Sequence, residues 1–385
     1  MKDVKIIIGA NYGDEGKGLL TRHFALDAKD KNLNPIIIFS QGTAQRGHTV
    51  DYNPLQRHIY HHFSSGTGDG ISTYFSEGFL VHPMEYHREY AELLRQGITP
   101  PISYFDENAK VITPLDMIVD HATEEWLAIE NGEREYGSCG FGSWCAVENR
   151  LPMGHTNYSL RDFMDYKIVP ILLEEVWKDC LIVLASRGVD LEKTSFAHLL
   201  KNRQAVINNF IGDLKFFFNH SKPIPFTGLF NKTDFNSFVF ENGQGLGLDK
   251  DVDDEWHTTS NTGLINPYAL LKDEQEFSAE VCYVTRSYLT RHGVGSLEEA
   301  VQKKEINADM LDKTNVHNNF QGSLRYGYIG DAEQANRINK DYSLVKNDNR
   351  FSYNMAVTHT NEFNCGLDKE VKYYSDNPYG VKENS

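Results

Sequence analysis

Residues 9–20 read Gly-Ala-Asn-Tyr-Gly-Asp-Glu-Gly-Lys-Gly-Leu-Leu, directly after the apolar run 4–8. Glycines and a lysine at the mouth of a helix are the parts of a phosphate cradle. Gly13, Gly16 and Gly18 let backbone N–H groups approach an anion, the helix N-terminus favours negative charge, and Lys17 adds a point charge. The stretch fails the strict pattern G-x-x-x-x-G-K-[ST]. Asn11 stands where the first glycine belongs, and Gly18 replaces the hydroxyl residue that would hold magnesium. It also carries a carboxylate pair, Asp14 and Glu15, that would repel a phosphate unless a cation lies between. Asp14 is therefore a candidate magnesium ligand, general base, or both. The plain alternative is a tight turn before a charged helix start.

Three more polar loops follow apolar runs or neighbour them. Residues 40–50 place Arg46 and His48 after the second apolar run, where open parallel sheets bind ligands. Residues 240–249 bring Gly243, Gln244 and Gly245 to the end of another run, and the Gln244 amide can both donate and accept. Residues 256–263 gather Thr258, Thr259, Ser260, Asn261 and Thr262, a hydroxyl-rich loop suited to a phosphate. Each alone reads as a polar surface turn; jointly they point to a nucleotide site. A metal site at His58, His61 and His62 is disfavoured, because no Cys or acidic residue sits at ligand spacing.

These loops need a scaffold. Residues 4–8, 35–42, 110–113, 237–245 and 353–362 have strand character, and residues 19–28, 160–187 and 203–220 have helical apolar spacing. Buried strands interleaved with helices predict an α/β fold with a large, mostly parallel central sheet covered by helices and a P-loop-like first βα unit. We expect a single domain over residues 1–385 with a polar tail from about 365. Residues 64–71, 137–143, 241–254 and 312–330 read as long loops.

Composition bounds the function. The 385 residues carry a net charge of −16, which disfavours a broad nucleic-acid-binding surface. Cys139, Cys145, Cys180, Cys282 and Cys365 form a sparse, odd set that fits free thiols in a reducing compartment. No run approaches a membrane span, so the expectation is a soluble, cytoplasmic protein.

The first loop, the Gln-Arg-Gly-His-Thr-Val segment, Phe-Glu-Asn-Gly-Gln-Gly and Thr-Thr-Ser-Asn-Thr, in this order and spacing, resemble the adenylosuccinate synthetase family. The resemblance covers roughly residues 4–330 and continues more weakly to about 362. It implies a magnesium-dependent C–N ligase, usually a homodimer, that joins aspartate to the 6-position of a purine nucleotide at the expense of a nucleoside triphosphate. By resemblance, Asp14 takes the N1 proton and binds magnesium together with the Gly47 carbonyl. Lys17 holds the transferring phosphate, His48 is the general acid and Gln244 meets the 6-oxygen. Gly13, Glu15, Gly16 and Gly18 line the triphosphate, and Thr258 contacts the monophosphate.

The departures from the family shape the remaining expectations. Gln45 stands near the family's paired asparagines. Ser138 and Cys139 stand where the family's nucleotide-binding Gly-Thr-Thr-Gly loop has threonines. Residues 312–327 keep only Arg325 of the family's arginine-rich aspartate loop, with Arg46 or Arg291 as substitutes. Succinate-like carboxylates want bidentate guanidinium partners. The guanine-reading Thr-Lys-x-Asp becomes Thr358-His359-Thr360-Asn361. Guanine offers two adjacent donors, which an aspartate accepts; the amide of Asn361 matches the donor–acceptor edge of adenine instead. ATP or dATP is therefore expected over GTP. The acceptor, IMP or (d)GMP, stays open. So do a ligase using a different amine and a non-catalytic nucleotide-binding relative, although retention of Asp14, Lys17, His48 and Gln244 argues against the last.

Overall fold

The computed structural model describes residues 1–131, 140–143, 145–146, 158–249, 261–293, 295–310, 312, 315, 322–365 and 371–384. Its centre is a ten-stranded sheet. In chain order the strands are β1 (Lys2–Gly9), β2 (Pro35–Phe39), β3 (Thr73–Phe75), β4 (Ser103–Phe105), β5 (Ser221–Pro223), β6 (Ser237–Glu241), β7 (Phe277–Arg286), β8 (Phe351–Thr358), β9 (Val371–Tyr374) and β10 (Lys382–Glu383). Across the sheet they run β5-β4-β3-β2-β6-β1-β7-β8-β9-β10. All neighbours are parallel except β9 with β10.

The apolar runs are continuous because both faces of the sheet are covered. Side chains alternate across a strand, so Ile6, Ile8, Ile36, Ile38, Phe238 and Phe240 enter one core while Ile7, Ile37 and Val239 enter the other. Helices α1 (Lys17–Asp30), α2 (Pro83–Arg95), α3 (Pro114–Asn131), α4 (Val169–Ser186) and α5 (Arg203–Asn219) supply the second of these cores. Helices α6 (Phe226–Lys232) and α7 (Asp331–Tyr342) pack in the first. No helix among the described residues is long and apolar enough to cross a membrane. Among the described residues Cys145, Cys180, Cys282 and Cys365 form no disulfide.

Several local expectations change. Residues 110–113 give only the short strand Lys110–Val111, in a side sheet with Gly42–Thr43 and Phe79–Val81. The helical stretch 160–187 splits into Leu160–Phe163 and α4, because Pro170 sits in the first turn of α4, the one place where its missing N–H is harmless. Strand β7, next to β1, is missed from sequence since Ser278 and Glu280 interrupt its apolar pattern. Polar residues after 365 include β9 and β10, which close the sheet edge.

Glu280 on β7 explains how so polar a segment is held. Its carboxylate accepts from Lys5 and Lys372 (2.9 Å each), Tyr373 (2.9 Å) and Asn354 (2.6 Å). Burial alone would raise its pKa, but Lys5, Lys372 and Tyr373 hold it down at about 2. The folded value lies below the unfolded one, so this contribution is complete only above about pH 5 and is lost as pH falls through 4 toward 2. Glu280→Ala should cost roughly 2–3 kcal/mol at pH 7. Urea unfolding at pH 7 and pH 3 checks it: the gap between wild type and variant must narrow in acid.

Candidate active site

Strand β1 delivers the first loop and α1 carries it away. Gly13 (φ 88°), Asp14 (φ 56°) and Gly16 (φ 87°) all take left-handed backbone, which folds the loop tightly enough to turn N–H groups inward. Glu15 is not displayed to a ligand. Its carboxylate accepts from the N–H groups of Asn11 (2.8 Å) and Gly13 (3.1 Å) and pairs with Lys17 Nζ (3.0 Å). Glu15 thus braces the loop from inside and parks the lysine at the start of α1. Asn11 is pinned in turn by Thr285 on β7 and Arg337 on α7.

His48 opens the hairpin strand His48–Asn53, which lies against the first turn of α1. A Cβ placed on Gly18 would stand 3.2 Å from the His48 Cβ and 3.0 Å from the Thr49 carbonyl oxygen, so glycine eases this close approach. Lys17 therefore acts electrostatically on both His48 and Asp14. The His48 ring is oriented by Glu241 at the end of β6: Nδ1 lies 2.5 Å from Glu241 Oε1. Glu241 also accepts from the Ser65 N–H (3.1 Å) and hydroxyl. A carboxylate at Nδ1 leaves Nε2 for the site. Burial lowers the His48 pKa, opposed by Glu241. The Glu241 carboxyl sits below its ordinary value because His48, Arg46 and Ser65 outweigh its burial.

Asp14 is half-buried and already engaged. Its Oδ2 lies 3.0 Å from His292 Nε2, and Arg286 Nε donates to its carbonyl oxygen. Burial would raise its pKa; His292, Arg286 and Lys17 bring it to about 2. Among the described residues no cluster of three His, Cys, Asp or Glu side chains can cage a metal. Magnesium, however, is held by one or two carboxylates plus substrate phosphates. One carboxylate beside a phosphate loop fits such a shared ion.

The loop after β6 locks onto the first loop. The Gly247 N–H donates to the Asn11 carbonyl at 2.7 Å, and a Cβ on Gly245 would fall 2.4 Å from that oxygen. Gln244 (φ 60°) sits in this junction, with its carbonyl 2.8 Å from where a Gly9 Cβ would be. Arg291 and Arg325 are direct partners on two antiparallel short strands, Leu289–Arg291 and Arg325–Gly327. Arg291 faces the Tyr12 ring (5.0 Å), and Arg325 donates to the Gly295 carbonyl while its Nε and second amino nitrogen are buried without a hydrogen-bond partner among the described residues. At the end of β8, Thr358 donates to the Glu15 carbonyl (2.8 Å), which ties the segment 358–361 to the first loop. His359 is packed near Tyr288, and Asn361 is exposed beyond it.

Some expected residues do not join the site. Arg46 stacks on Phe39 and donates to the carbonyls of His61 and Glu241, a structural role that removes it as a substrate arginine. Gly47 is exposed and Gln45 half-buried on the loop before His48. Ser138, Cys139 and Thr258 lie outside the described residues. His58 approaches Glu89 (3.3 Å), but that carboxylate is spent on the N–H groups of His61, His62 and Phe63. Sequence reasoning passed over Glu241 and His292. A carboxylate ending a wholly apolar strand, as in Ser-Phe-Val-Phe-Glu, is the signal for the first, since a buried charge needs a partner. Nothing local marks the second.

Residues 6–333 match the family model described as adenylosuccinate synthetase. The chain belongs to the adenylosuccinate synthetase family. The adenylosuccinate synthetase of Tropheryma whipplei (strain Twist) is 26% identical over 303 residues, covering 75% of this chain and 63% of that protein. The Streptomyces coelicolor synthetase is 30% identical over 138 residues, covering 36% and 30%. The chain thus spans about 63% of the length of the first of these relatives. Two solved structures share the fold. Fully ligated adenylosuccinate synthetase from Plasmodium falciparum superposes with a TM-score of 0.63 at 17% identity over 93% of this chain and 77% of that one. Cyanophage S-2L succinoaminodeoxyadenylate synthetase (PurZ), bound to dGMP and dATP as an energy donor, gives 0.62 at 14% identity over 100% and 95%.

Proposed function

We propose that this chain is a cytoplasmic, homodimeric ligase that joins L-aspartate to the 6-position of a 6-oxopurine nucleotide, driven by a nucleoside triphosphate. The observation that carries the reading is the convergence of Asp14, Lys17 and His48 on one helix N-terminus, with Glu241 behind the histidine. A binding-only relative has no need of a buried carboxylate to orient an imidazole.

In the reaction, Asp14 accepts the purine N1 proton while the 6-oxygen attacks the γ-phosphorus. The bond to the β–γ bridging oxygen breaks and the nucleoside diphosphate leaves. Asp14 held by His292 is a weak base, so the carboxylate becomes effective once that contact is exchanged for the purine. Lys17 neutralises the transferring group and His48 Nε2 protonates leaving phosphate oxygen. The amine of aspartate then displaces inorganic phosphate from C6, forming the C–N bond. Magnesium, when bound, offsets phosphate charge; Asp14 and the Gly47 carbonyl are the groups that would hold it. Gln244 meets the 6-oxygen. The test is direct: incubate the protein with ATP or GTP, magnesium and aspartate, offer IMP, dIMP, GMP and dGMP separately, and identify products by mass. Absence of a succinyl adduct with every acceptor overturns the reading.

The paired arginines support aspartate as the amine. Two guanidiniums on neighbouring strands suit a dicarboxylate, so Arg325→Ala should raise the KM for aspartate at least tenfold and leave the nucleotide KM values nearly unchanged, the loss of one charge-assisted contact being worth roughly 1.5–3 kcal/mol. An effect confined to the nucleotides would favour a different amine.

Donor choice rests on Asn361. Against guanine, the amide leaves one donor facing a donor, a loss of roughly 1–3 kcal/mol. We expect kcat/KM for ATP to exceed that for GTP by about tenfold or more, and Asn361→Asp to shift the ratio toward GTP. A tenfold preference for GTP in the wild type overturns this assignment.

A further inference from the structure

The first loop carries its candidate base on an uncomfortable backbone. Of residues 9–20, Gly13, Asp14 and Gly16 take left-handed φ, and Asp14 (56°) is the only one of the three with a side chain. Glycine enters that region freely. A residue with a Cβ does so at a cost and stays there where its surroundings over-determine it. The direction of the Asp14 carboxylate depends on this conformation, because a return of φ to the common negative range carries the Cβ elsewhere. A hold from outside the loop is therefore called for.

Arg286, the last residue of β7, supplies one. Its side chain is buried, and its Nε donates to the Asp14 carbonyl oxygen. The rest of the fork is anchored. One amino nitrogen donates to the Tyr288 oxygen at 3.0 Å, and the buried Tyr288 hydroxyl donates in turn to the Glu362 carboxylate. The other amino nitrogen lies 3.7 Å from Asp312 Oδ2. Each nitrogen thus faces a protein group, so the arginine acts through the loop. The next carbonyl, that of Glu15, is held from the neighbouring strand β8 by Thr358. Two adjacent strand ends grip two consecutive peptides. We propose that Arg286 is a positioning residue for the reaction: the peptide leaving Asp14 resists turning while Arg286 holds its oxygen, and this keeps the carboxylate aimed at the purine. The inference rests on Asp14 being the base, as the functional reading has it. It adds that the aim is set from the strand beside β1 and not by the loop alone.

A double-mutant cycle on the steady-state kinetics of the full chain tests it, with the donor and acceptor that give a succinyl product. Arg286→Lys keeps the charge but has a single donating atom for the two oxygens of Asp14 and Tyr288. It should lower kcat on the order of 10- to 100-fold, as a misplaced reacting group does. The KM values for both nucleotides and for aspartate should stay close to wild type. Added to Asp14→Ala it should cost nothing more, since its effect passes through the Asp14 carboxylate. Unchanged kcat, an equal loss in both backgrounds, or a rise in KM at constant kcat overturns the positioning role and leaves Asp14 as the base. Near-normal turnover of Asp14→Ala removes the base, and this inference with it. Should Arg286→Lys fail to fold, Tyr288→Phe is read in the same cycle. It keeps the ring, removes the oxygen that anchors the guanidinium, and should act in the same direction by a smaller factor.

Discussion

His48→Ala should lower turnover by on the order of 10²–10⁴-fold, and Asp14→Ala should do the same, as expected when a general acid or base is removed. Asp14 sits on the first loop and His48 opens the hairpin strand, and neither belongs to either apolar core, so the variants are expected to stay folded. The His48 ring has few other uses. It is buried beside α1, and its Nδ1 is committed to Glu241. Only Nε2 remains for the proposed proton transfer. Neither Glu15 nor Asp312 can replace Asp14: Glu15 is locked inside the loop, and Asp312 holds Asn315. Steady-state kcat with circular dichroism as the folding check decides the matter. Near-normal turnover in either variant removes that residue from the chemistry.

The second large effect falls on a residue that touches no substrate. Glu241→Gln should lower kcat about 100-fold with KM values close to wild type, as loss of a positioned acid–base group does. The carboxylate accepts on both oxygens, from His48 Nδ1, the Ser65 N–H and the Ser65 hydroxyl. An amide of the same shape has one oxygen. Its NH₂ must then face either Ser65, which already donates, or His48, where it forces the wrong ring tautomer. Glu241 also raises the proton affinity of His48 against burial. Removing the negative charge lets that affinity fall, so the limb of the kcat–pH profile set by the protonated histidine moves to lower pH. A purely structural role would lower stability without moving the limb.

How much of this was legible varies with how local the cause is. The βα unit around residues 4–30 was readable because a β-branched run, a glycine loop and helical spacing follow one another without interruption. The ends of β2 and β6 were readable for the same reason, and with them His48 and Gln244. Strand β7 was not, because Glu280 looks like a surface residue until Lys5 from β1 and Lys372 from β9 are brought to it. Arg46 misled: a loop arginine beside a glycine reads as exposed, yet the aromatic face of Phe39 and two carbonyls draw it inward. The pairing of His292 with Asp14 spans far more sequence than any local pattern, and only the strand order places them together. The cross-strand partnership of Arg291 and Arg325 arises in the same way.

The interlocked glycine loops bear on how such a protein can be changed. Gly247 and Gly245 press on Asn11 and on the Tyr12 ring so closely that neither loop has room to alter its path while the other keeps its own. Between them lie more than two hundred residues of chain. Hybrids assembled from two relatives should therefore work when both loops come from one parent, whatever the origin of the helices between. Those taking one loop from each should fail at the junction. The heritable unit of this site is a pair of distant segments, passed on together or not at all.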